Sequence, residues 1–193
     1  MKFLTKIAAV AVTGVGLLGL SGAAQALSIT PTTPGIIPAN LGPANCEPGC
    51  VYDAFGLVND GSLELLYKAD VGGPEGGAFN GSYDTVFSNT ADDPSDATIS
   101  YTGGPSIVCG VCYLVIKDGN QNPSYYFIDL ALLGWDGVED LVLSGFWPDQ
   151  GAISHISIWG SSEGTSVPEP GTLALLGLGL AGMGIGVRRR RKH

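Results

Sequence analysis

Four cysteines stand in two close pairs, Cys46 with Cys50 and Cys109 with Cys112. In an oxidising compartment an even count reads as two disulfides. Along an extended strand the Cα atoms of Cys109 and Cys112 would lie about 10 Å apart, beyond the ~7 Å that a bridge spans. Either Gly110 bends the chain or the pairs join across; Glu47-Pro48-Gly49 between the other two is a turn that permits a local bridge. A zinc site of all four thiolates is the alternative, although Cys-x-x-Cys is joined here by a Cys-x-x-x-Cys half. A redox motif would need a parallel βαβ setting, which is missing.

Asp118, Asn120, Asn122, Ser124 and Asp129 fall at positions 1, 3, 5, 7 and 12 of a calcium-loop pattern. Pro123 stands where that loop wants glycine, Asp129 replaces the usual glutamate, and the flanks read as strands. A polar hairpin turn is therefore the better reading, with calcium as the alternative; Asp92, Asp93 and Asp96 make a second loop with the same ambiguity. Trp135, Trp147 and Trp159 recur every twelve residues. Exposed, they would stack on sugar rings; buried, they supply core, the reading favoured for large aromatics. Catalytic material is thin. The middle of the chain holds one histidine, His155, and no arginine, and no serine-nucleophile motif accompanies it. No catalytic residue is assigned, although carboxylates that meet only in the fold would suit a polysaccharide hydrolase.

The elements that must position these residues are strands. Short apolar or alternating runs separated by Gly, Asp, Asn and Pro fill residues 51–160. Leu63–Lys68, Phe79–Phe87, Ala97–Tyr101, Val111–Lys117, Tyr125–Leu130, Leu141–Phe146 and Ile153–Trp159 are expected strands. Their number and spacing predict an all-β domain, an antiparallel β-sandwich or jelly-roll. The clearest hairpin joins Val111–Lys117 to Tyr125–Leu130, with Asp118-Gly119 supplying the turn. Residues 27–50, rich in Pro, Thr and Gly, read as a flexible leader carrying the first cysteine pair, and residues 161–166 as a linker.

The ends are processing segments. Residues 1–26 have a basic start (Lys2, Lys6), an apolar run of about 14 residues and a small-residue finish at Ala24-Gln25-Ala26, which predicts a cleavable signal peptide, Sec export and signal peptidase. Residues 167–193 hold Val167-Pro168-Glu169-Pro170, an uncharged stretch from Gly171 to Val187, then Arg188-Arg189-Arg190-Arg191-Lys192. The prolines keep the motif extended and open to an enzyme. The stretch would make a transmembrane helix of about 25 Å, slightly under a ~30 Å hydrocarbon core. The basic cluster holds the cytoplasmic side, so the domain faces outward.

Pro168, Glu169 and Pro170, followed by an apolar helix and an arginine-rich end, resemble the PEP-CTERM sorting signal. Segments such as Phe79-Asn80-Gly81-Ser82-Tyr83 and Ser144-Gly145-Phe146-Trp147-Pro148 are also similar to ectodomains of that family. The resemblance implies recognition at Pro168–Pro170 by exosortase, a multi-spanning membrane peptidase of Gram-negative bacteria associated with exopolysaccharide and biofilm. It implies inner-membrane tethering before processing, then cell surface or extracellular matrix. It brings no established activity for the domain.

Charge excludes one class outright. Between Leu27 and Val167 seventeen acidic side chains face only Lys68 and Lys117, a net charge of −15. Nucleic-acid binding runs on phosphate neutralisation and is the wrong expectation. The resulting expectation is a non-enzymatic surface or matrix protein without a cofactor, with a carbohydrate-binding module or calcium-binding adhesin as the alternative.

Overall fold

In the computed structural model, residues 26–89, 93–118, 120–148, 151–161 and 165–166 are described. The segment Cys112–Lys117 (β8) is buried at every position. Side chains alternate across a strand, so such a run needs cover on both faces. Its neighbours Tyr125–Asp129 (β9) and His155–Gly160 (β11) are nearly as buried. These three form the centre of a six-stranded sheet, completed by Ile37–Ala39 (β2) beyond β9, and by Glu64–Asp70 (β3) and Glu75–Gly76 (β4) beyond β11.

One face of that sheet shares a core with a four-stranded sheet. This second sheet runs in the order Ala26–Ile29 (β1), Asp140–Leu143 (β10), Asp96–Tyr101 (β6), Tyr83–Ser88 (β5). Leu114, Ile116, Ile128, Ile156 and Ile158 meet Ile29, Ile99, Leu141 and Leu143 there. The opposite face, Tyr113, Val115, Tyr125 and Phe127, is covered by a short helix, Gly49–Ala54 (α1), through Val51 and Tyr52. Val51 is fully buried, which contributes about 1.5–3 kcal/mol. The Tyr52 hydroxyl accepts the Leu63 amide at 2.7 Å, and the Tyr125 hydroxyl donates to the Ala44 carbonyl at 2.7 Å. Two polar contacts thus fix the covering segment at its ends.

The pairs within the two large sheets are antiparallel, except β1 with β10. The all-β expectation matches this architecture, and all seven expected strands are present with shifted ends. The β8–β9 hairpin is paired from Tyr113↔Asp129 to Lys117↔Tyr125; Gly119 of its turn lies outside the described residues.

The flexible leader expected over residues 27–50 is overturned. β1 pairs in register with β10, β2 with β9, and α1 begins at Gly49. Pro and Gly there serve turns between docked pieces, not slack. The linker expected over residues 161–166 is also corrected at its end. Thr165–Ser166 (β12) pairs antiparallel with Ser106–Ile107 (β7) as a small third sheet.

Of the segment expected as signal peptide, residues 1–26, residues 1–25 lie outside the described residues, and Ala26 is the first residue of β1. The tail, residues 167–193, lies outside them too. Among the described residues no helix is long and apolar enough to cross a membrane.

Candidate functional site

The basic side chains of the domain, scarce as they are, converge. Strand pairing sets His155 opposite Lys117 on one side and opposite Asp70 on the other, with Lys68 two pairs along beside Ser157. Directly opposed residues share a sheet face, here the face that carries α1. The loop closed by Cys46 and Cys50 brings Glu47 onto it. His155 Nε2 donates to Glu47 Oε1 at 2.8 Å, with both side chains 5% exposed. On the other side of the ring, Nδ1 lies 3.9 Å from Asp70 Oδ1, which Lys68 Nζ reaches at 2.8 Å. The Lys117 ammonium stands 5.6 Å from the centre of the Tyr125 ring, within cation–π range.

The electrostatics follow from this crowding. Burial raises the Glu47 carboxyl, but the hydrogen bond from His155, a backbone hydrogen bond and the charges of His155 and Lys117 outweigh it, holding the group below its ordinary 4.5. Burial first, and then the Glu47 charge, push the Tyr125 phenol above its ordinary range. A general base must reach a substrate proton, and the His155 side chain is 5% exposed. Chemically the cluster is a latch: it pins the disulfide loop to the sheet.

A second polar contact ties the two large sheets together. The Tyr67 hydroxyl on β3 donates to Glu75 on β4, and the same carboxylate oxygen accepts the Thr85 amide on β5 at 2.8 Å. Tyr67 and Thr85 hydroxyls also lie 2.7 Å apart. Burial, and then the Glu75 hydrogen bond, raise the Tyr67 phenol far above its ordinary value.

The residues singled out in the sequence do not assemble into one site. Cys46 pairs with Cys50 and Cys109 with Cys112, each locally, at Cα separations of 5.4 and 5.3 Å. The four sulfurs therefore do not present a thiolate zinc site. Asp118 is buried; its Oδ1 accepts the Asn120 amide and its Oδ2 the Ala152 amide, both at 2.8 Å. Asn122 is exposed, and Ser124 Oγ accepts the Leu41 amide at 3.0 Å. Asp129 sits beside Tyr113 at the far end of the hairpin, where its Oδ1 accepts the Ala131 amide at 2.9 Å. Four pair steps of about 3.4 Å separate the strand ends, so Asp118 and Asp129 cannot close one loop around an ion. Among the described residues no group of three or more His, Cys, Asp or Glu is placed to hold a metal. Asp96 Oδ1 accepts the Gly145 amide at 2.7 Å, and Asp92 lies outside the described residues.

The tryptophans form no shared platform. Trp135 and Trp147 are core residues at 3% and 8% exposure, and half-buried Trp159 packs on the other face of the sheet. Their indole N–H groups donate to Glu139 O, Pro123 O and Ser157 Oγ respectively.

Beside β12, the strand β7 is held from behind. The Ile107 amide donates to the Tyr83 hydroxyl at 2.8 Å, and that hydroxyl donates to Gly137 O at 2.7 Å. Burial pushes the Tyr83 phenol up to about 12. Gly137 approaches so closely that a Cβ there would fall 1.9 Å from Ile107 O. This fixed strand anchors Thr165 and Ser166, directly ahead of the Pro168-Glu169-Pro170 sequence. Pro168, Glu169, Pro170 and the basic cluster Arg188 to Lys192 themselves lie outside the described residues.

No curated protein matches the chain, and no solved structure does. Residues 166–191 match a family model described as the PEP-CTERM protein-sorting motif, so the chain carries that sorting motif at its C-terminal end.

Proposed function

We propose that this chain is an exported protein, delivered by Sec and signal peptidase, tethered at the inner membrane by Gly171–Val187, and processed by exosortase at the Pro168–Pro170 motif. The observation that carries this reading is the motif match over residues 166–191, which starts at a residue paired to the folded domain. Two local disulfides agree with an oxidising compartment. The domain then serves at the cell surface or in the extracellular matrix as a non-enzymatic component of the exopolysaccharide or biofilm layer. Its net charge of −15 between Leu27 and Val167 keeps nucleic acid away.

The test is the intact mass of the mature protein from cells with and without exosortase. A loss of the C-terminal segment that depends on the enzyme is expected. Retention of Gly171–His193 in both strains reduces the tail to an anchor, and recovery of the chain from the cytosol with residues 1–26 attached overturns export.

A further inference from the structure

Among the described residues eight large apolar side chains are exposed, and six of them, Leu57, Val58, Val108, Val111, Leu132 and Val138, belong to loops at one end of the domain. This is the end where β8 starts and where β9 and β11 finish. Residues 108–111 lead into β8 and residues 130–139 leave β9. The Leu130 amide donates to Cys112 O at 3.0 Å, and Gly137 lies against Ile107 O, so the two loops adjoin at both their ends. Residues 56–62 run from Phe55, stacked on Tyr113 at 4.3 Å between ring centroids, to β3, whose Glu64 pairs with Gly160. Single apolar side chains scattered over a surface need no explanation, but gathered at one end they mark an interaction surface.

The loops are shaped before any contact. Asp60 Oδ1 accepts the Ser62 amide at 3.0 Å, Asp129 Oδ1 the Leu132 amide at 3.2 Å and Asp136 Oδ1 the Val138 amide at 2.9 Å. Preformed loops lose little freedom on binding. Among the described residues no basic side chain stands at this end: Lys117 and His155 pair at the opposite end of β11, and Lys68 lies opposite Ser157. The attraction is therefore apolar and owes nothing to anionic headgroups. The route of the chain names the partner. Thr165 pairs with Ile107, the neighbour of Val108, so β12 is fastened at this same end. Gly171, where the uncharged stretch begins, follows Ser166 by five positions, at most about 18 Å of chain by any path. A span that begins at Gly171 keeps β12 within that reach of the bilayer, a fraction of the width of a domain of this size.

We infer that this end of the domain is a lipid-facing surface, whose exposed Leu and Val side chains enter the interfacial layer of the membrane that the tail spans. This rests on the reading of Gly171–Val187 as a membrane span. The β8–β9 turn, at the opposite end, then points away from the bilayer.

The test uses the full chain in phosphatidylcholine nanodiscs. Its four cysteines are paired, so one added thiol takes a fluorescent label: Leu132→Cys at the apolar end, or Asn122→Cys in the exposed turn at the other. Side chains docked at an interface sink about 5–10 Å, so lipid with a doxyl quencher high on its acyl chain should dim the Leu132→Cys label about twofold or more and spare the Asn122→Cys label. Val58→Asp combined with Val111→Asp, both at exposed positions, should abolish that quenching. A chain that enters the bilayer with both labels unquenched overturns the lipid-facing surface and leaves the span standing. Quenching that survives the two aspartates reports tethering alone and overturns it as well. Unquenched Leu132→Cys labels that transfer energy between two chains assign the face to a second copy, which also overturns it. A chain recovered in the aqueous fraction, never entering the nanodisc, sinks the membrane span and the surface that rests on it.

Discussion

Glu47 and His155 each leave the other a buried, unmatched polar group if one is removed. Breaking such a pair costs about 3–5 kcal/mol, so Glu47→Ala should lower the urea-unfolding free energy by about that much. Lys68→Ala, at a pair whose side chains are 25% and 43% exposed, should cost less than about 1 kcal/mol. Acidity acts on the same contact. The folded Glu47 carboxyl is held below its ordinary 4.5, so its contribution is complete above that value and is lost as pH falls through the lower, folded one. Urea midpoints should hold through neutral pH and drop below pH 4.5, with a shallower drop in Glu47→Gln. At Asp118 both carboxylate oxygens already accept backbone amides. Millimolar calcium, or its removal by chelator, should therefore leave the melting temperature unchanged.

Among the elements, the Cys46–Cys50 loop does two things at once. Closing so short a loop stabilises by about 2 kcal/mol through chain entropy, and it also carries Glu47 to His155. Replacing both cysteines by serine should therefore cost more than the same change at Cys109 and Cys112, as read by urea denaturation. Combining it with Glu47→Ala should fall short of additive. The long strands were legible because residues such as Val115, Ile116, Tyr125 and Phe127 are β-formers bounded by turn residues. Helix α1 was not: it is six residues long without a side-chain cap, too short to stand by itself. Strands β1, β2, β7 and β12 span two to four residues and exist through partners distant in sequence. The same distance hid the latch. His155 was visible as a lone histidine, but its partner Glu47 is 108 positions away, and no local spacing signals such a meeting. The tryptophan spacing carried no site, since equal intervals along the chain do not place rings on one surface.

At the scale of the whole molecule, charge is divided by position: a strongly acidic middle and a basic end at Arg188–Lys192. Basic residues beside an apolar segment fix its orientation. Replacing Arg188 to Arg191 by alanine should let the unprocessed chain pass through the membrane. It would then appear intact in the exported soluble fraction, as read by fractionation and intact mass. A different constraint comes from the parallel pair that sets Ala26 beside Asp140. On the export route proposed above, β1 is the first strand of the domain to emerge, and its partner β10 emerges well after it. Docking of β1 on β10 must therefore wait until most of the polypeptide has crossed. Contacts of such long range make for slow folding, and the chain must spend that interval with its opening strand unmated, an edge open to any chaperone it meets.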